Sequence, residues 1–278
     1  MTRTYEDPPE FRESAGASFG YPRLTPIVRW VIWLNVGIFV ALLIAGFAAP
    51  KLEAAVYGAL RLDPAAWSSD FPLAPWWQVI TYGFLHSMRD PMHILLNMLG
   101  VYFFGTLLEN QLGSKRFATL YGLALEIGAT VHLAIACAGD WNVTVVGASG
   151  GVMAVVVAAA VLYPNMRVIF FVFPMPLKVL ALIFVGLDLF RVLTQQSGGV
   201  ASIVHLAGAA WGLAALKFGW IWADPAARWQ QRQERKVVEQ RQTDEERLDK
   251  LLQQIHDKGM PSLSASDREF LRRMSSRR

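Results

Sequence analysis

Three polar sites stand out in a chain that is otherwise apolar over long stretches. The first is Ser149, within Gly147-Ala148-Ser149-Gly150-Gly151. The second is His205, followed by Gly208 and Gly212. The third is the pair His93 and Asn97. A serine hydroxyl is a weak nucleophile at neutral pH unless a base removes its proton as it attacks. An imidazole titrates in the range needed to take that proton and return it to a leaving amine. Attack on a carbonyl leaves an oxyanion, which requires donors aimed at it. Asn97 offers an amide N–H, His93 a ring N–H, and Ser149 its backbone N–H at a helix start. These types together suit amide-bond hydrolysis by a Ser149–His205 dyad. No aspartate is read as orienting His205, so a dyad rather than a triad is expected.

Each signal also has a plain structural reading. Small residues in a membrane helix serve close helix packing. The Gly-x-Ser-x-Gly pattern of soluble hydrolases needs a strand–turn–helix context, which a bilayer-spanning segment excludes. A histidine in an apolar helix is either a core group bonded to a carbonyl or a functional one. The i, i+4 spacing puts His93 and Asn97 on one face, as interhelical glue or toward a shared cavity. The elements that carry these residues decide between the readings.

Of the 278 residues, 54% are hydrophobic and only 17% charged, well below the share in soluble domains. Half of the Lys and Arg (13 of 26) follow Ala223, so Ile27–Trp222 is poor in charge. Mean hydropathy is +0.32. This is the composition of a polytopic all-α membrane protein. Six spans are expected, at about Ile27–Phe47, Pro91–Leu112, Phe117–Ala138, Val146–Tyr163, Leu177–Leu193 and Ala201–Trp222. Pro91 suits a first helical position. The expected domains are a tail over 1–26, a six-helix bundle over 27–222 and a soluble helical tail over 223–278. The fourth span is short, which would let it begin below the membrane surface with its first residues facing a cavity. The loop Ala48–Pro75, with Trp67, Phe71 and four prolines, reads either as an interfacial loop or as a gate.

Short-loop charges set the orientation. Lys115, Arg116, Arg167 and Lys178 fall on one side with the N-terminal Arg3, Arg12, Arg23 and Arg29. Both termini are then cytoplasmic. The second, fourth and sixth spans enter from the opposite side. Ser149 would lie three residues into its span and His205 four into its own, both roughly 5–8 Å along their helices. Three polar sites at one depth favour a cavity.

The net charge of +4 fits cytoplasmic basic segments, and no nucleic-acid partner is expected. The single Cys137 allows no internal disulfide and no cysteine cluster. No His-Glu-x-x-His occurs, and neither metal nor cofactor is expected. The first 26 residues lack an apolar stretch, so no cleavable signal peptide is expected. Glu126, and Asp188 paired three residues away with Arg191, should be paired or face the interior as structural groups. His132 reads as a packing residue. In the tail, Arg228–Ile255 reads as an exposed helix. A capping box at Ser266–Glu269, or a cap at Ser264, would start a second helix beyond Gly259–Pro261. Solvation or self-association is its expected role.

The ordered set of motifs resembles the rhomboid family of intramembrane serine proteases over about Ile27–Trp222. The pieces are Trp77-Gln78, Phe84-Leu85-His86, His93-x3-Asn97, Gly105-x3-Glu109-x3-Gly113, Gly147-Ala148-Ser149-Gly150 and His205-x2-Gly208-x3-Gly212. The resemblance implies a six-helix bundle with a Ser–His dyad in a water-filled cavity opening to the non-cytoplasmic side. It implies His93 and Asn97 as oxyanion-side residues, with Gly150 beside the serine keeping that hole open. It implies single-pass membrane proteins as substrates and a bacterial plasma-membrane location. Met153 stands where many members carry an aromatic against the histidine. His86 and His93 are two residues further apart than is usual. An inactive relative that binds transmembrane clients is the alternative; retention of Ser149 and His205 speaks against it. A transporter would spread polar groups through the depth of the spans and carry repeats, and neither is seen.

Overall fold

The computed structural model describes residues 23–69, 73–139, 143–170, 172–194, 199–222 and 243–275, position 245 excepted. Contacts divide the chain into two compact units, Met1–Trp222 and Ala223–Arg278.

Proline opens four helices of the first unit, where its missing N–H costs nothing. These are α1 (Pro26–Ala48), α2 (Pro50–Leu60), α3 (Pro64–Ser69) and α5 (Pro91–Leu112). Between them lies α4 (Gln78–Thr81). Asp90 caps α5 by accepting from the Met92 N–H at 3.1 Å. Then follow α6 (Ser114–Ala138), α7 (Ser149–Leu162), the hairpin β1 (Arg167–Phe170) and β2 (Phe173–Pro176), α8 (Leu177–Leu193) and α9 (Gly199–Lys217). Among the described residues α1, α5 and α6 are long and apolar enough to cross a bilayer. Large apolar side chains such as Trp30, Phe47, Leu182, Phe190 and Leu213 stand exposed around the unit.

Several expectations need correction. The segment Ala48–Pro75 is largely helical, because Pro50 and Pro64 each start a helix; Phe71 and Pro72 lie outside the described residues. The fourth apolar helix begins at Ser149 rather than Val146, since Val145 is engaged in a backbone bridge to Leu62. The last one begins two residues earlier than expected and stops at Lys217, with Trp220–Trp222 forming a separate turn. The β1–β2 hairpin was not expected; its Arg167↔Pro176 and Phe170↔Phe173 register closes the connection between α7 and α8. Within α5, Val101–Gly105 forms a π-helical stretch.

Glu109 ties the start of α1 to the end of α5. Thr25 at the N-cap makes no side-chain cap bond, so the first N–H groups of α1 lack a local acceptor. The buried Glu109 carboxylate supplies it. Oε1 accepts from Ile27 N and Oε2 from Val28 N, each at 2.9 Å, and Ser114 Oγ donates to Oε1 at 2.6 Å. A carboxylate at a helix N-terminus is favoured by the dipole as well.

The second unit is a helical hairpin of its own. Residues 246–258 form α10, Gly259 turns the chain at φ +75°, and α11 is Ala265–Ser275. Ser264, rather than Ser266, is the cap: its Oγ accepts from Asp267 N at 3.2 Å and donates to Asp267 Oδ2 at 2.6 Å. Leu251, Leu263 and Phe270 form its small core. The expected helix from Arg228 lies outside the described residues up to 242.

Glu109→Ala would strand two buried donors of α1 and is expected to cost about 2–4 kcal/mol. Thermal denaturation of the solubilised chain reads this; an unchanged midpoint would remove Glu109 as the anchor of α1.

Candidate active site

The site grows from a contact between backbones. A Cβ on Gly208 of α9 would collide with the Gly150 carbonyl of α7. One turn on, a Cβ on Gly212 would collide with the Ala154 carbonyl. Only glycine allows two helices to approach this closely. Gly150 in turn lies against Val204, 3.0 Å from its Cγ1 by the same measure. Residues 150 and 204 therefore touch, and Ser149 and His205 are their immediate neighbours in the chain.

Ser149 is the first residue of α7 and half-buried. The chain reaches it through Gly147, at φ +128°, a conformation that excludes side chains. This turn is held from outside the helix. Gly147 N donates to Tyr82 O at 2.9 Å, and Val145 exchanges both backbone bonds with Leu62, at 2.9 and 3.1 Å. Tyr82 Oη donates to Leu125 O at 2.7 Å, fixing that support to α6. Further back, Trp77 Nε1 donates to Ala59 O at 2.8 Å and Gln78 Oε1 accepts from Asp63 N at 3.1 Å. The first intrahelical bond of α7 runs from Val152 N to Ala148 O. The N–H groups of Ser149 and Gly150 thus belong to the open first turn.

His93 comes to the same turn from α5. Its Nε2 lies 2.7 Å, and Ser149 Oγ 3.6 Å, from the point a Cβ on Gly147 would occupy. Seven residues along α5, Gly100 lies against Val152 of α7. The two helices therefore run side by side, and Asn97 falls between these contacts on the facing stripe. Asn97 is buried, and its Nδ2 donates one N–H to His93 O at 2.9 Å. His86 backs the site. It is fully buried, its ring edge-on to His93 at 5.1 Å between centroids. Burial, helped by the neighbouring His93, pushes its imidazole down to about 4, so it is neutral at physiological pH.

His205 keeps its side chain 21% exposed. Its Nδ1 lies 3.0 Å from Asp188 Oδ2 on α8. The other carboxylate oxygen accepts from Ser202 Oγ at 2.7 Å and lies 3.5 Å from Arg191 Nη1. This corrects the expectation that no aspartate orients His205. Asp188 does pair with Arg191, as its spacing suggested, but the imidazole is the nearer partner. A signal was present: Asp188 lies five residues before the end of α8 and His205 six after the start of α9. Antiparallel helices close together in the chain hold such positions at one height. Among the described residues no hydrogen bond joins Ser149 to His205.

The residues set aside as structural divide. His132 is buried, with Nε2 2.9 Å from Val143 O, as a packing residue would be. Met153 is buried in α7. Glu126 does not face the interior. It is exposed on α6 and lines a groove of about 580 Å³ with Trp67, Trp76, Thr130 and Cys137. Its position on the helix, three residues from Leu123 and four from Gly122, puts it off the buried stripe of Leu125, Gly128 and Ala129.

The Rhomboid domain family matches residues 74–222. A second family, of unknown function (DUF6576), matches residues 232–277. The chain is also similar to RHOMBOID-like protein 12, mitochondrial, of Arabidopsis thaliana, at 32% identity over 148 residues. That stretch covers 48% of this chain and 43% of the relative, so the chain spans less than half of that relative's length.

Gly147→Ala would force a side chain onto a positive φ and into His93. It is expected to destabilise the solubilised chain by about 1–3 kcal/mol. A thermal midpoint equal to that of the unaltered chain would show that the turn before Ser149 is not under this constraint.

Proposed function

The chain belongs to the rhomboid family, and from that premise we propose that it is an intramembrane serine endopeptidase with Ser149 as nucleophile and His205 as base. The observation that supports this reading is the α7–α9 contact through Gly150, Val204 and Gly208, of which Gly150 adjoins Ser149 and Val204 adjoins His205 in the chain. In the reaction, Ser149 Oγ bonds to the scissile carbonyl carbon as its proton passes to His205 Nε2. The carbonyl π pair moves to oxygen. Donors for that oxyanion are the Ser149 and Gly150 N–H groups, the free N–H of the Asn97 amide and the His93 ring. His205 then protonates the departing amine as the C–N bond breaks. Water, activated by the same imidazole, releases the acyl group. No metal or cofactor enters this scheme.

In this reading all six apolar helices, α1 and α5 to α9, cross the bilayer with both termini cytoplasmic. The start of α7 then opens to the non-cytoplasmic side. The basic residues Lys115 and Arg116 in the first turn of α6, Arg167 on β1 and Lys178 in the first turn of α8, all toward the opposite side, support that orientation. The substrates are single-pass membrane proteins cut near the top of a helix that unwinds readily, since only unwound backbone offers its carbonyl to Ser149. The location proposed is a bacterial plasma membrane. The unit after Trp222 is proposed as a cytoplasmic tail that mediates self-association. An inactive, client-binding member would have no use for a serine and a histidine kept at this contact.

Two substitutions test the assignment against a transmembrane reporter in liposomes. Ser149→Ala is expected to reduce cleavage to background while the chain still inserts; wild-type turnover would end the nucleophile assignment. Asn97→Ala is expected to lower kcat by ~10²–10³ with little change in KM. An unaltered kcat would take Asn97 out of the oxyanion hole.

A further inference from the structure

Asp188 has more partners than a structural ion pair requires. A buried carboxylate in a membrane helix is costly unless its oxygens are matched by donors. Arg191, three residues on and half exposed, would serve that purpose alone. Instead Oδ1 is shared between Arg191 and the buried Ser202 hydroxyl, and Oδ2 is left to His205 Nδ1 at 3.0 Å. Two of these donors, Ser202 and His205, sit three residues apart on one face of α9. The carboxylate is therefore clamped on one oxygen and directed at the imidazole with the other.

We propose that Asp188 is a positioning residue of the proteolytic site, holding His205 by Nδ1 so that the Nε2 lone pair is the one presented to Ser149. The inference rests on the protease reading above. An Nδ1–H donated to a carboxylate fixes the tautomer, leaving Nε2 as acceptor. The contact also restrains the ring about its Cβ–Cγ bond, a task the buried but flexible Met153 is poorly suited to perform. When the Ser149 proton arrives at Nε2, the imidazolium forms beside a fixed negative charge, which lowers the cost of that step. The Nδ1 proton stays on the ring and Asp188 stays ionised throughout. Ser202 and Arg191 act one step further out, by keeping the carboxylate oriented.

The test compares the full chain with its Asp188→Asn form, solubilised and folded, in two measurements. Kinetics on the transmembrane reporter should show kcat lower by ~10²–10⁴ with KM nearly unchanged. Nitrogen-15 histidine NMR, on the Ser149→Ala background, should show His205 as the Nδ1–H tautomer while Asp188 is present. In Asp188→Asn it should show the Nε2–H tautomer or a mixture of the two. Wild-type kcat in Asp188→Asn overturns the proposal, and so does a fall in kcat with the tautomer unchanged. Should Asp188→Asn fail to fold, Ser202→Ala releases only Oδ1 and is expected to lower kcat about tenfold, the worth of one hydrogen bond; no change overturns the proposal. An unaltered chain inert toward the reporter defeats the protease reading itself, a result distinct from an active chain indifferent to Asp188.

Discussion

Everything at this site depends on two helices meeting with almost no side chain between them. Gly208 and Gly212 of α9 lie on the carbonyls of Gly150 and Ala154 of α7. In lipid, helices gain nothing from hiding apolar surface from water, so close van der Waals contact between backbones is what holds them. That contact also fixes the register of the two helices. Residue 150, next to Ser149 in the chain, is set against residue 208 and against residue 204, next to His205. The stripe of small residues packs the two helices, and the catalytic reading proposed above builds on that packing.

The second constraint is electrostatic. Among the described residues of the unit, the two buried carboxylates, Glu109 and Asp188, are each surrounded by donors. Glu109 caps the start of α1, and Asp188 holds Ser202, Arg191 and His205. Such groups are tolerated in an apolar bundle only where their charge is matched, so their partners point to what they are for. Glu109 meets backbone N–H groups and serves the fold. Asp188 meets the His205 imidazole and serves the chemistry proposed for it.

Much of this was legible in the sequence because membrane helices and their glycines leave strong periodic signals. Ser149, His205, His93 and Asn97 stood out as polar groups in apolar surroundings, and proline marked the start of α5. What escaped was set by contacts distant in the chain. The start of α7 moved to Ser149 because Val145 bonds to Leu62, more than eighty residues earlier. The helices α2 and α3 were hidden by an aromatic- and proline-rich composition that reads as loop. Glu126 faces outward because the buried stripe of α6 passes through Leu125 and Gly128 instead. Asp188 reads as a partner of Arg191 because spacing along one helix is visible in a sequence, whereas a partner on the next helix is visible only through its depth.

The central claim is that Ser149 is a nucleophile activated by His205. It is tested most directly by treating the membrane-embedded chain with a fluorophosphonate and locating the adduct by mass spectrometry. A single adduct on Ser149, lost in His205→Ala, is the expected result. An unlabelled chain, or an adduct on Ser149 that persists at full yield without His205, would contradict it.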